Sequence, residues 1–486
     1  MSSPLRGLIA LELRETARQP LTIAILLLLV AAMLVGALNG AARVDGELRT
    51  LADVAREEAA SLRTAKAAAV AYSKPSDLKV DYHRDPTDAF GYMTYFLVTH
   101  AVKPPTPLAA LAAGQSDLQP LQIRIDFNAI FPDAAYDPGN PHALELGSFD
   151  LAFVLVFLTP LGLIALGATR LTGEQDSGVL RLIAAQPVTL RAVAFSKYAA
   201  LAIISVVAIV GGMLAASLVA GGVRSLGLVA IALMVALWAL FWVALCAVVA
   251  TFWRGAVASI AILVLAWAGI TVLAPGVATF VIDLAHPAPS RIAYIDASRQ
   301  AMDRFHGDET AAHSAWLRRR YPQLAASNPD VAKSPDVKRF ARDAFYRDAL
   351  RPRRAAFLAH GDDVLAWSDA LRLISPAMMV DGALQTAAGA DARRHQAFIA
   401  ATDAYTEQLR RYFQPLALDN AANPIGACAQ CPGRLNFLRY DEVPKFRPTV
   451  DERPGQRAVL TTCLYLGLLV GGLAAIAARR MRDWPA

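Results

Sequence analysis

Six long apolar runs organise the chain, at about residues 21–38, 149–168, 192–218, 226–250, 256–281 and 457–477. Roughly 20 apolar residues carry a helix across the hydrocarbon core of a bilayer, and each run meets or nearly meets that length. Ahead of the first, residues 4–19 place Leu5, Leu8, Ile9 and Leu13 at helical spacing, with Arg6, Glu12, Arg14, Glu15 and Arg18 between them. That pattern predicts an interfacial helix lying flat on the membrane and ended by Pro20. A cleaved signal peptide is the competing reading. The first run is long for one, and Asn39-Gly40-Ala41 is a weak cleavage site. Gly211 and Gly212 leave the depth of the third run open, and Val219-Ala220-Gly221-Gly222 makes a short turn to the fourth.

Charge in the short connections sets the orientation. Arg6, Arg14 and Arg18 precede the first span, Arg170, Arg181 and Arg191 lie between the second and third, and Arg254 follows the fourth. Arg479, Arg480 and Arg482 follow the sixth. With an even number of spans all of these fall on one side, and the positive-inside rule makes it the cytoplasm of a bacterial inner membrane. Both termini (1–20 and 478–486) are then cytoplasmic, with Trp253 and Trp484 at the inner interface.

Two large polar blocks, about 41–146 and 283–455, therefore lie outside. Val44–Ala71 is rich in Ala, Glu and Arg and reads as a helix. Tyr92–Val98 suits helix or strand, Leu121–Phe127 alternates like a strand, and Pro132–Pro141 is turn material. In the second block helices are expected near 291–304, 309–320, 336–350, 353–370 and 389–413, the last with Phe398, Tyr405, Leu409 and Tyr412 on one face. The stretch 415–454 reads as irregular. Each block is tethered at both ends to spans whose axes stand about 8–10 Å from their neighbours. The prediction is thus a polytopic α-helical membrane protein whose blocks merge into one composite, mainly helical extracytoplasmic domain. In it, the Val44–Ala71 helix packs against 353–370 or 389–413.

The connection at about 169–191 is unlike the others. Glu174 to Ala185 reads as a short helix with Val179, Leu180, Leu182 and Ile183 as its apolar face, stopped by Pro187. Thr189 is placed to cap the helix that follows. A short amphipathic helix between two spans is a docking surface rather than a catalytic pocket.

Composition narrows the function. At 55% hydrophobic and 18% charged, with mean hydropathy +0.38, the chain is too apolar for an ordinary soluble protein. The net charge of +6 comes without a basic run interleaved with aromatics, so nucleic acid is not an expected partner. There is no GxxxxGK[ST] phosphate loop, no HExxH and no GxSxG. Any energy source is therefore another chain. Asp150 and Asp283 sit at the outer ends of spans rather than inside them, which speaks against an ion-driven carrier.

The run Glu174-Gln175-Asp176-Ser177-Gly178-Val179-Leu180-Arg181-Leu182, then Gln186-Pro187-Val188-Thr189 and Lys197, resembles the E-x-x-x-G-T-L … P-[VI]-S-R … K pattern of ABC-2 type ABC exporter permeases. Val179 replaces the usual threonine, Thr189 the usual serine, and Leu190-Arg191 moves the basic residue one place on. Leu108–Pro120, Gly147–Leu161 and Ser375–Asp391, with His395–Phe398, are similar to the subgroup with large extracytoplasmic insertions, whose domain has no assigned function. The resemblance implies a non-catalytic membrane subunit. It would pair with a second copy of itself or a sibling permease, and couple to separate ABC ATPase subunits that bind ATP and Mg. An extracytoplasmic protein and membrane lipids are further candidate partners.

Glu174, Gly178, Leu180, Arg181, Leu182 and Pro187 are the expected coupling residues. For Glu174 a carboxylate favoured at a helix start is a compatible reading, and Arg181 is open to a contact or a solvated topological role. Asp150 suits an N-cap of the second span or a cargo contact. Cys428 and Cys431 are open to a local disulfide, a metal site or a redox pair. Arg347, Arg351, Arg353 and Arg354 are open to a solvated face or an anionic partner.

Overall fold

The six apolar runs are six helices long enough to span a membrane: Pro20–Tyr72, Leu151–Asp176, Leu190–Val219, Gly227–Phe252, Ala256–Ala285 and Arg453–Arg480. This computed structural model describes residues 3–81, 84–116, 119–127, 131, 149–221, 226–253, 255–307, 309–423, 428, 430–449 and 451–481. Gly222, Arg254, Arg482, Trp484 and the turn expected at 132–141 lie outside them. The N-terminal helix, Ser3–Arg18, ends at Gln19, whose backbone is extended (φ −68°, ψ 120°). Pro20 then opens the first span, where its missing N–H costs nothing.

That first helix departs from expectation. The span and the separate Val44–Ala71 helix are one continuous rod of 53 residues, about 80 Å long at 1.5 Å per residue. Nothing in Asn39-Gly40-Ala41 breaks it. Gly36 and Gly40 are instead contact points, because a Cβ on either would collide with the backbone of Asp150 or Ala110.

Two spans widen into single π-turns, Val154–Leu158 in the second and Gly269–Leu273 in the fifth. A π-turn displaces carbonyls from the helical ladder, and in an apolar interior each needs a donor. Trp238 Nε1 donates to Leu155 O (2.9 Å), Trp267 Nε1 to Phe157 O (3.2 Å), and Ser375 Oγ to Ile270 O (2.6 Å). The bundle core forms around them from Met33, Leu163, Leu201, Met213, Trp242 and Leu466, all fully buried.

Ser375 opens an element that the hydropathy pattern did not reveal. The helix Pro376–Ala388 has Ser375 as N-cap and stops at Gly389 (φ 68°), and it sinks Val380, Ala383 and Leu384 into the core of the spans. The second block is therefore keyed into the bundle rather than suspended above it.

The two blocks share one core, as their tethering predicts. Ala65, Ala69, Phe90, Tyr92, Ile123 and Ile125 from the first meet Phe340, Phe398, Tyr405, Leu409, Phe413 and Phe437 from the second. Tyr92 is its centre, with ring centroids 5.2 Å from Phe437 and 4.9 Å from Tyr440. Phe413, not the half-buried Tyr412, completes the stripe on Ala392–Ala422. The alternating Leu121–Phe127 segment forms a short strand over Gln122–Arg124, antiparallel to His100–Val102, with flanking bonds from Lys103 N to Leu121 O and from Ile125 N to Thr99 O.

The expected break between residues 350 and 353 is absent. Pro335–Leu371 is one helix with Pro352 inside it, at the cost of one ladder hydrogen bond, and its buried residues, Phe340, Tyr346 and Leu350 among them, all precede the proline. Its far end lies by the fifth span, with Asp363 3.9 Å from His286 and Trp367 against the same ring. The long first helix keys instead onto its own block and the 430–441 segment. Ser61 Oγ donates to Phe96 O (2.5 Å), and Lys66 pairs with Asp441 (2.7 Å).

Candidate functional site

The connection between the second and third spans lies at the end of the bundle away from the head. It is two short helices, Thr172–Asp176 and Val179–Ala184, rather than the single one expected from Glu174 to Ala185. Gly178 separates them in the left-handed region (φ 76°), a conformation that costs a glycine little and other residues more. Pro187 lies beyond the second helix, and Thr189 caps the third span by accepting from Ala192 N (3.3 Å).

The first half is fixed from three directions. Thr172 is buried and its hydroxyl donates to Ala168 O (3.0 Å). Asp176 Oδ2 accepts from Ala256 N (2.8 Å), holding the first turn of the fifth span. Glu174 Oε1 is 2.8 Å from Lys197 Nζ, and the same ammonium is 2.8 Å from Glu12 on the N-terminal helix. The Lys197 side chain is 9% exposed, Glu12 11% and Glu174 26%, so two carboxylates answer one largely buried cation. Beside them Arg170 donates to Thr16 Oγ1 (2.6 Å) and Gln19 Oε1 (3.4 Å). Charge thus ties the N-terminal helix, the connection and two spans into one unit.

The second half turns outward. Leu180 packs on the bundle core, whereas Val179 and Leu182 are exposed, Leu182 by 71%, with Arg181 and Pro187 exposed around them. The expected apolar face is therefore split, because a helix of six residues is too short to bury two sides. Of the candidate residues, Glu174 and Leu180 anchor, Gly178 makes the bend, and Arg181, Leu182 and Pro187 form an open surface. A cavity of about 940 Å³ opens beside Pro187, between Leu5 and Leu8, Phe195 and Tyr198, Val243 and Ala474.

Sequence reading missed Glu12 and Thr16. It placed Glu12 on the solvated face of an amphipathic helix, yet Glu12 and Thr16 are its most buried positions while Leu11 is exposed. The usable signal was Lys197, a lysine set inside an apolar run, which needs an acidic partner nearby.

The remaining candidates lie toward the head. Asp150 Oδ1 accepts from Phe153 N (2.8 Å) as N-cap of the second span, and Oδ2 accepts from Ala113 N (2.7 Å). Both oxygens are thus engaged in joining head to span. Cys428 and Cys431 form a disulfide, with Ser76 N donating to Gln430 O (2.9 Å) beside it. Among the described residues no three His, Cys, Asp or Glu side chains converge as metal ligands.

No curated protein and no solved structure matches the chain. The sequence profile of the ABC-2 family transporter proteins matches residues 7–431, from the N-terminal helix through the first five spans to the disulfide. This polytopic helical protein therefore belongs to the ABC-2 family and is a membrane permease of the ABC transporter type.

Proposed function

We propose that the chain couples a separate ATPase to export, with the ATPase seated on the surface formed by Val179, Arg181, Leu182 and Pro187. The observation that carries this reading is the two-part build of the connection. Its outer half exposes apolar side chains on the protein surface, while its inner half is locked to the spans through Glu174, Lys197 and Glu12. An exposed apolar patch rimmed by charge is a protein-docking surface, and a charge-locked base passes a push on it into the bundle. ATP and Mg belong to the partner. A second copy or a sibling permease would complete the pathway, for which exposed apolar side chains such as Val257, Leu265 and Leu468 offer a face.

On this reading the docking end is cytoplasmic, since Arg6, Arg14, Arg18, Arg181, Arg191, Arg479 and Arg480 gather there. The Cys428–Cys431 disulfide supports an oxidising compartment for the head. Leu182→Asp tests the docking surface in the reconstituted complex. ATP hydrolysis should fall to the rate of the ATPase alone and co-purification should weaken at least about tenfold, the factor that 1.4 kcal/mol produces. Stimulation unchanged by Leu182→Asp would refute the docking site.

A second reading, a mechanical transducer acting on an extracytoplasmic protein, is favoured by the unbroken Pro20–Tyr72 rod and by the helix keyed in at Ser375. It gains if ATP moves the head while nothing crosses the bilayer in vesicles.

A further inference from the structure

Pro335–Leu371 and Ala392–Ala422 diverge along part of their length in the head and leave a cleft of about 400 Å³ between them. That volume suits a small organic ligand. Arg347, Arg351 and Arg354 line one wall and Arg410 the other, with Phe131, Ala355 and Leu358 as the apolar part of the lining.

The arginines are not equally satisfied. Arg354 pairs with Asp403 at 2.8 Å and stacks 4.3 Å over Phe131, and Arg351 pairs with Asp348. Asp343, one turn before Arg347 on the same helix, is answered by Arg339 (3.2 Å) and Arg342 (3.5 Å). That leaves Glu407 for three guanidiniums, with Arg347 at 3.9 Å, Arg410 at 4.0 Å and Arg411 at 3.9 Å, all beyond hydrogen-bond length. Arg347 Nη1 is buried with no hydrogen-bond partner, and the Arg410 side chain is only 10% exposed. Burial, then the neighbouring Arg347, pushes Arg410 down to about 10, which keeps it charged at neutral pH. Arg347 and Arg410 share Glu407 within the cleft, since Arg411 is 72% exposed and does not line it, and the lining as a whole carries one more positive charge than negative. Guanidinium forks match phosphate oxygens in pairs, so two incompletely paired arginines suit a phosphate better than a single carboxylate.

The position of the cleft decides the source of that anion. Asp363 of the same helix stands by His286, just past the end of the fifth span. Arg347 lies about 24 Å further along the helix at 1.5 Å per residue, whereas a headgroup layer adds only about 6 Å to each side of the hydrocarbon. Along a helix running away from the membrane that separation exceeds the reach of a headgroup, and replacing neutral by anionic lipid distinguishes the two sources.

We propose that this cleft binds a soluble organic phosphate monoester, with the phosphate on Arg347 and Arg410 and the organic part along Phe131, Ala355 and Leu358. Phenyl phosphate is a suitable probe, titrated by calorimetry into the full chain in nanodiscs. Saturable binding is expected, weakened at least tenfold by Arg347→Gln or Arg410→Gln and unchanged by Arg318→Gln, an exposed arginine of the Glu309–Arg320 helix. Benzoate should compete poorly, and replacing neutral by anionic lipid in the nanodiscs should leave the affinity unchanged. Arginine footprinting with phenylglyoxal on the wild-type chain needs no variant to fold, and phenyl phosphate should protect Arg347 and Arg410 but not Arg318. Absence of saturable binding, equal protection at all three, or competition by anionic lipid would each overturn the proposal.

Discussion

At the head end of the bundle the spans are joined by backbone pressed on backbone, and at the proposed docking end by side-chain charge. Gly36 and Gly40 let Asp150 and Ala110 lie directly against the first helix, and Gly455 lets Ala387 approach the sixth span. Asp150 and Ser375 add hydrogen bonds from span to head. The docking end has no such closeness at its bend, since a Cβ on Gly178 would meet nothing within 4 Å. Its rigidity comes from Lys197 between Glu12 and Glu174. Backbone contacts of the first kind admit one arrangement. Charge pairs lock that end while they hold and can be re-formed when broken, which suits the proposed partner that binds and releases.

The largest effect is expected where that charge is removed. Lys197→Met leaves the buried Glu12 and the partly exposed Glu174 without their cation, and a loss of about 3–4 kcal/mol is expected, the lower part of the range for breaking a buried pair. A thermal melt should show it, and Glu12→Gln added to Lys197→Met should recover much of the loss. If Lys197→Met melts like the wild type, charge does not hold that end.

Gly40→Ala comes next. Its new methyl group meets the Ala110 backbone, which has no rotamer to escape into, so a loss of about 3 kcal/mol is expected, the upper part of the usual overpacking range. Expression and melting of the full chain check this, and an unperturbed variant would show that the head is not keyed to the rod there.

Within the head, Asp336 offers a pH test. Burial first, then Asp88, push its carboxyl up to about 7, against a partial offset from Arg434, and its Oδ1 has no hydrogen-bond partner. A raised carboxyl favours the neutral folded form. Its contribution is complete below the unfolded value of 3.8 and is lost as the pH climbs to about 7. Asp336→Asn should flatten that slope and raise the melting midpoint at pH 8 by about 1–2 °C, equivalent to about 1–2 kcal/mol for a chain of this length. An unaltered pH profile would count against a buried charge at this position.

The smallest effect should be Gly178→Ala. With open space around it, only the left-handed backbone is penalised, at about 1 kcal/mol. A loss as large as that of Gly40→Ala would erase the distinction between the two ends.

What could be read from the chain follows from which forces are local. Span positions and the Phe398–Tyr405–Leu409 stripe rest on periodicity, so they were legible. The shared core was legible because the tethers leave the blocks nowhere else to go. The fusion of the first span with Val44–Ala71 was not, since the sequence lacks a breaker but does not state that none acts. Pro352 misled in the opposite sense, since the helix runs straight through it. The keyed-in helix Pro376–Ala388 was hidden by its length, too short to register as a span and too apolar for the head. In the candidate site, the Glu174 and Pro187 region stood out, but the split of its faces and the burial of Glu12 depend on contacts distant in sequence.

Photo-crosslinking tests the central claim most directly. A photoreactive residue at Leu182 or Arg181 should capture the ATPase subunit in native membranes, and one at Leu284 or Ile292, equally apolar and exposed but at the head end, should not. Capture from the head-end positions, or none from Leu182 and Arg181 in a complex that still hydrolyses ATP, would contradict the account.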